Sequence, residues 1–323
     1  MPPVFRRAHD DDHVGRARFF ARALAPDTHR EGTQIPENKH HQSQDRKEGR
    51  ALEVRYSYLN IVRRAGFSKV VMSKIESITS AANPLIKDVR RAILRGGLTD
   101  DGWCVAESYH LLEEALRSGR EVPVVLMSES ARITGNGHRT VILPDKLFQS
   151  IAATETSQGV IALVEPPTWS IDQLFGPQSL VVVLDGLQDP GNAGAIARTA
   201  EAFGATGVMF LKGTVSPHHP KTLRASAGSL FRIPFATGTI ASDLDRPGLS
   251  LYAAMPFTGS QRLAGDVDFK RPCAIVIGSE GRGVSLEVHA LCEEIAIPTM
   301  AVESLNAAAA AAILLYEARR QRQ

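Results

Sequence analysis

The chain has 323 residues, a length that fits two domains of about 150 residues each. Hydrophobic residues make up 43% and charged residues 22%, enough apolar material for packed cores, which excludes wholesale disorder. The longest apolar run, residues 307–316, is half of the roughly 20 residues that a bilayer span needs, and a net charge of +2 conceals an uneven distribution, so any grip on a polyanion beyond residue 72 must come from local clusters.

Residues 1–72 differ from the rest. They hold 14 Lys and Arg against 9 Asp and Glu, a local +5, while residues 73–168 and 169–323 stand at −2 and −1. The run His9-Asp10-Asp11-Asp12-His13 and residues 28–50 are almost wholly polar, the composition of a disordered extension. No apolar h-region marks a signal peptide, and Asp10–Asp12 argue against a transit peptide. Met72, just before Ser73-Lys74-Ile75-Glu76, is a candidate natural start.

Residues 73–165 alternate helix and strand patterns, as in a small α/β domain. Periodicity predicts helices over 83–94 and 108–118, and strands over 103–106, 123–127 and 159–164. On the first helix Lys87, Arg90, Arg91 and Arg95 fall on one broad face, the best local grip for a phosphate backbone. Pro166, Pro167, Gly176 and Pro177 mark 166–179 as a linker. Beyond it, 180–323 carries strand runs at 180–184, 207–211, 251–255, 273–277 and 294–297, with helices over 191–203, 286–292 and 305–322. Several of these strands are continuously apolar, as in a parallel sheet covered on both faces. Cys104, Cys273 and Cys292 lie far apart and read as small buried hydrophobes of a reducing compartment. His218 and His219 have no partner cluster and read as loop residues, so no metal is expected.

Three loops follow strands of the second domain, where open parallel sheets bind ligands. In the first, Asp189-Pro190 suits a helix start, with Asn192 in the first turn and Arg198 opposite the buried stripe. The second, Gly278-Ser279-Glu280-Gly281-Arg282-Gly283, lets backbone approach a ligand closely. It is neither a Walker loop nor the GxGxxG fingerprint, and Glu280 would repel a phosphate, so a cationic or neutral ligand fits better. The third, Ser304-Leu305-Asn306, runs into an alanine-rich helix with almost no polar face, which predicts burial in the domain or against another subunit.

These segments resemble the three signature motifs of the SpoU/TrmH-type RNA 2′-O-ribose methyltransferases. They are Asp189-Pro190-Gly191-Asn192-Ala193-Gly194 through Arg198, the glycine loop from Ile277 to Gly283, and Ser304-Leu305-Asn306 with the helix to Arg322. Arg224-Ala225-Ser226-Ala227-Gly228-Ser229 resembles the family's intermediate segment. Ser80-Ala81-Ala82-Asn83-Pro84 and Thr156-Ser157-Gln158-Gly159 resemble its substrate-binding domain, so the likeness covers nearly all of 75–323. Thr299-Met300-Ala301-Val302 departs from the family in being shorter and glycine-free.

The resemblance implies an α/β fold: a C-terminal trefoil-knotted SPOUT methyltransferase domain (180–323) with a smaller N-terminal RNA substrate-binding domain (73–165). It implies S-adenosylmethionine as cofactor, a homodimer with the site at the subunit boundary, a cytoplasmic setting, and rRNA or tRNA as substrate, rRNA favoured. Catalytic positions carry over to Asn192, Arg198, Glu280, Ser304 and Asn306, and cofactor contacts to Gly278, Ile297 and Leu305. Guanidinium deprotonation is costly, so Arg198 is expected to hold the target phosphate and stabilise the alkoxide rather than act as base. Glu280 is expected to orient Arg198 or shape the nucleotide pocket, and Ser304 and Asn306 to hydrogen-bond the ribose or Arg198. The competing readings are a non-catalytic RNA-binding paralogue acting in ribosome assembly, and a nicotinamide oxidoreductase, which lacks its phosphate fingerprint.

Overall fold

The computed structural model describes residues 75–131 and 138–323. The expected extension over 1–72 and the candidate start at Met72 lie outside the described residues. Two sheets follow in chain order. The first is built from β1 (Ile75–Ser77), β2 (Cys104–Glu107), β3 (Val124–Ser128), β4 (Arg139–Leu143) and β5 (Val160–Val164), in the order β1-β4-β3-β5-β2. β5 runs antiparallel to both its neighbours, and the other pairs are parallel. Helices α1 (Pro84–Arg95), α2 (Tyr109–Arg117) and α3 (Asp145–Gln149) cover its faces. Sequence chemistry sets their starts: Asn83 Oδ1 accepts the Leu85 N–H at 2.9 Å with Pro84 in the first turn, and Ser108 Oγ accepts the Leu111 N–H at 3.2 Å.

The second sheet is all-parallel and seven-stranded. Its strands are β6 (Leu180–Asp185), β7 (Gly207–Leu211), β8 (Phe235–Thr239), β9 (Ser250–Met255), β10 (Arg262–Leu263), β11 (Cys273–Gly278) and β12 (Glu293–Ala296). The spatial order is β10-β12-β9-β11-β6-β7-β8. The connections carry α4 (Pro190–Ala202), α5 (Pro220–Ala225) and α6 (Leu286–His289), and α7 (Ala307–Gln321) follows the last strand. Both faces of β6 are buried. Val181 and Val183 pack with Met209, Ala274 and Val276, while Val182 and Leu184 join Ile196, Ala197, Leu314 and Leu315 from α4 and α7. This is the burial that continuous apolar strands predict for a parallel sheet.

The core under α4 and α7 continues into the first sheet through Cys104, Ala106, Leu112, Met127 and Val160. Arg232, after β7 and α5, donates to Glu114 of α2 and, at 2.6 Å, to Glu201 of α4. Residues 166–179 form a packed connection, not a free tether: a 3-10 turn over Ile171–Leu174 buries Leu174 completely. Gly194 of α4 has no room for a side chain, since a Cβ would lie 2.3 Å from the Thr222 carbonyl oxygen of α5. At the C-terminus the Arg322 guanidinium donates to the carbonyls of Gln178, Ser179, Phe269 and Arg271, pinning the end of α7 to the sheet.

Among the described residues no helix is long and apolar enough to cross a membrane. Burial pushes the Cys104 thiol up to about 12, and no cysteine is bonded to another. His218 is largely buried edge-on to Phe235, which lowers its pKa to about 4. His219 caps α5 through its ring nitrogen, 3.0 Å from the Lys221 N–H.

Candidate active site

The carboxyl ends of β9, β11 and β12 and the start of α7 enclose a cleft of about 570 Å³. That lies within the usual range for small-molecule sites. The glycine loop 278–283 forms one wall, and Ile297 and the segment from Glu303 to Ala307 form another. Gly278, Ile297 and Leu305, the expected cofactor contacts, all line it, as do Glu280, Ser304 and Asn306.

Three side chains from three separate segments, the first turn of α4, the glycine loop and the start of α7, join at its edge. Asn192 Nδ2 donates to Glu280 Oε1 at 2.6 Å, and Asn306 Nδ2 donates to Asn192 Oδ1 at 3.2 Å. Asn306 Oδ1 in turn accepts the Ala308 and Ala309 N–H groups at 2.9 and 3.3 Å, capping α7. The cap fixes the direction of the whole chain. With its oxygen on the helix, Asn306 presents its NH₂ to Asn192, whose own NH₂ must then face Glu280. Asn306 is therefore the capping residue of α7. The other oxygen of Glu280 has no hydrogen-bond partner among the described residues and remains an acceptor.

Asn192 is held from below. Asp189 caps α4 by accepting the Asn192 N–H at 2.7 Å, and Lys221 of α5 reaches its other oxygen at 3.3 Å. The Asn192 N–H bond, followed by the Lys221 contact, keeps the Asp189 carboxyl below the usual carboxylate range. Sequence reading missed Lys221. It also missed Met255, Pro256 and Phe257, which close the cleft at the end of β9, although Pro256 directly after an apolar strand was a legible signal of a strand end.

Arg198 stands apart. It is exposed on α4, six residues beyond Asn192, and neither lines the cleft nor touches the relay. Six residues are 1.7 helical turns, so the two side chains cannot share a face. The alanine-rich helix buries Ala307, Ala311, Leu314, Leu315 and Ala318 but leaves Ile313 44% and Tyr316 57% exposed. Met300 and Val302, in the loop before it, are also exposed.

The cationic face of α1 is narrower than its sequence suggests. Arg91 Nη1 donates to both carboxylate oxygens of Asp100 at 3.0 and 2.9 Å, and Arg90 donates to Ser150 Oγ at 3.0 Å. Lys87 and Arg95 are exposed and unpaired among the described residues. No group of three His, Cys, Asp or Glu able to hold a metal occurs among the described residues.

Comparison with known proteins gives a consistent result. Residues 179–316 match the profile of the SpoU rRNA Methylase family. An uncharacterized tRNA/rRNA methyltransferase of Synechocystis sp. is 36% identical over 77% of this chain and 95% of its own length. The 23S rRNA (guanosine(2553)-2′-O)-methyltransferase RlmP of Bacillus subtilis is 32% identical over 76% of this chain and all of its own. Among solved structures, the AdoMet-bound rRNA methyltransferase from Sinorhizobium meliloti superposes with a TM-score of 0.63 at 28% identity, covering 76% of this chain and 98% of that one. The SpoU methyltransferase AviRb from Streptomyces viridochromogenes, in complex with AdoMet, gives 0.65 at 25% identity, covering 74% and 98%.

Proposed function

The chain belongs to the SpoU rRNA methylase family, and from that premise we propose that its Glu280–Asn192–Asn306 relay is the catalytic centre for methyl transfer to a ribose 2′-hydroxyl of RNA. The protein is an S-adenosylmethionine-dependent RNA 2′-O-methyltransferase, with ribosomal RNA favoured over transfer RNA as substrate. The observation that carries the site assignment is that relay, drawn from three separate segments to the edge of one cleft.

The cleft suits the cofactor chemically. Ile277, Ile297 and Leu305 offer apolar surface, the glycine loop offers close backbone, and Glu280 and Glu303 put carboxylates where positive charge is to be held. S-adenosylmethionine supplies an electrophilic methyl carbon on a sulfonium. The chain's own task is therefore alignment, which can contribute about 7–11 kcal/mol, and a route for the hydroxyl proton. The free oxygen of Glu280 accepts a hydrogen bond from the attacking hydroxyl and takes its proton as the hydroxyl oxygen is methylated, and Asn192 holds the carboxylate in place. Ser304 bonds the ribose. The positive end of α7, 15 residues long, faces the negative charge that develops on oxygen.

A homodimer, with Arg198 of one protomer completing the cleft of its partner, is part of this proposal. It is supported by the exposed apolar residues Met300, Val302, Ile313 and Tyr316, and by the absence of Arg198 from the lining of its own cleft. A trefoil knot in 180–323 is part of it too, supported by β11 lying between β6 and β9 while α7 returns to pack on α4. We assign RNA binding to 73–165 and a cytoplasmic setting to the enzyme, the latter supported by the ribosomal RNA substrates named for its relatives.

Incubation with methyl-labelled S-adenosylmethionine and total ribosomal RNA, followed by 2′-O-methyl mapping, is expected to place label on a ribose. Label on a base, or none, would overturn the reading. Since Arg91 is committed to Asp100, RNA affinity should depend on Lys87 and Arg95. Reversing both charges is expected to weaken binding and to lower the log–log salt slope by about 2, at roughly 0.9 per phosphate contact. An unchanged slope would remove this helix from the RNA interface.

A further inference from the structure

Asp185, the last residue of β6, is 7% exposed, yet no lysine, arginine or histidine pairs with it among the described residues. Its Oδ2 instead accepts the backbone N–H of Ser285 at 2.6 Å. An ionisable side chain withdrawn from water with one main-chain partner is costly to keep and calls for a reason.

The reason lies in what the bond joins. Asp185 is in register with Gly278, so the segment bearing Asn192 and the loop bearing Glu280 leave the sheet side by side. The glycine loop closes on itself, Ser279 N–H to the Gly283 carbonyl at 3.0 Å and Gly283 N–H to the Ser279 carbonyl at 2.8 Å, which fixes its shape but not its place. Its tip is tied across by Asn192 to Glu280 at 2.6 Å, and its exit by Asp185 to Ser285. Ser285 also begins α6, so the second tie decides where the chain leaves the cleft wall.

We propose that Asp185 is a positioning residue for methyl transfer, a role that presupposes the methyltransferase reading: through the Ser285 N–H it sets the glycine loop so that cofactor and Glu280 meet in register. Asp185 itself does not line the cleft.

Ser285 provides a selective probe. Its φ of −64° and ψ of 150° are those of a proline, so Ser285→Pro deletes the donor and leaves the local backbone conformation allowed. Asp185→Ala deletes the acceptor, and Asp185→Asn keeps an oxygen able to accept the bond. S-adenosylmethionine Kd by calorimetry, single-turnover methyl transfer and Tm are measured for each and for the double variant. Asp185→Ala and Ser285→Pro are each expected to raise Kd and slow transfer roughly 10- to 100-fold, the scale of a misplacement of about 1 Å. The double variant should be no worse than either single one, because both remove the same bond. Asp185→Asn should stay within about threefold of wild type. Wild-type Kd and rate in the single variants, a lowered Tm alone, or defects that multiply in the double variant would overturn the role. If Asp185→Ala does not fold, Ser285→Pro still decides. A wild-type protein that binds the cofactor but methylates no RNA would overturn the methyltransferase reading instead, and the Kd series would still judge Asp185.

Discussion

Gly278→Ala is expected to raise the dissociation constant for S-adenosylmethionine by about 5- to 150-fold and to lower methyl transfer at subsaturating cofactor in proportion. A Cβ on Gly278 would lie 2.2 Å from the Gly283 carbonyl carbon, 2.4 Å from the Val284 nitrogen and 2.5 Å from the Gly283 oxygen. All three are backbone atoms, so no side chain can swing aside. The two hydrogen bonds between Ser279 and Gly283 must open, and the loop must move off the cleft wall it forms. Overpacking of a tight site typically costs about 1–3 kcal/mol, and tenfold in affinity is about 1.4 kcal/mol. Gly281 is the internal control: its Cβ would meet nothing within 4 Å, so Gly281→Ala should bind cofactor within about twofold of wild type. Calorimetric titration of both variants checks the pair. Equal affinities would mean that the closed turn at 278–283 does not shape the cofactor site.

The same residue shows where sequence reading works and where it stops. The glycine run could be read as a place for close backbone approach, and the continuous apolar strands as a two-sided parallel sheet, because both follow from local chemistry. Strands at 180–184, 207–211 and 273–277 accordingly fall within a residue of the observed β6, β7 and β11. β8, with the sequence Phe-Ala-Thr-Gly-Thr, has no apolar run, and its exposed interior follows from its place at the sheet edge. That position is a property of strand order, which no window of residues contains. The short α5 was missed for a related reason. Its six residues are held by Pro220 at the start, the His219 cap and close packing on Gly194, rather than by periodicity.

At the site, residue types were legible and pairings were not. Asn192, Glu280 and Asn306 stand out by chemistry, but the direction of their relay depends on Asn306 being the cap of α7, which only the folded helix start defines. The α1 face misled in the opposite sense. Four cations at helical spacing read as one grip, yet Asp100, nine residues beyond Arg91, is tied back to the helix by its N–H to the Asp88 carboxylate and takes Arg91 out of it. Asp185 gave no signal, since an aspartate ending a strand is common and only its burial against Ser285 marks it.

Arg198→Ala is expected to lower methyl transfer by about 10² to 10³, the typical cost of removing a donor aimed at developing negative charge, while cofactor affinity stays within about threefold. The first half follows if the guanidinium meets the target phosphate and the nascent alkoxide, and the second because Arg198 does not line the cleft. Its position on α4 makes a sharper test available. Asn192 and Arg198 leave the same helix on different faces, and α7, packed beside α4, exposes Ile313 and Tyr316. In a two-fold dimer formed through that face, each cleft draws Glu280 from one protomer and Arg198 from its partner. Neither an Arg198→Ala homodimer nor a Glu280→Gln homodimer then holds an intact site. A heterodimer of the two, purified through different tags, holds one cleft with both residues and one with neither. It should recover about half of the wild-type turnover per dimer. Were Arg198 to serve its own cleft, both sites of that heterodimer would be damaged and its turnover would stay near that of the two parents. Single-turnover assays on the three purified dimers separate these outcomes, because they count competent sites directly.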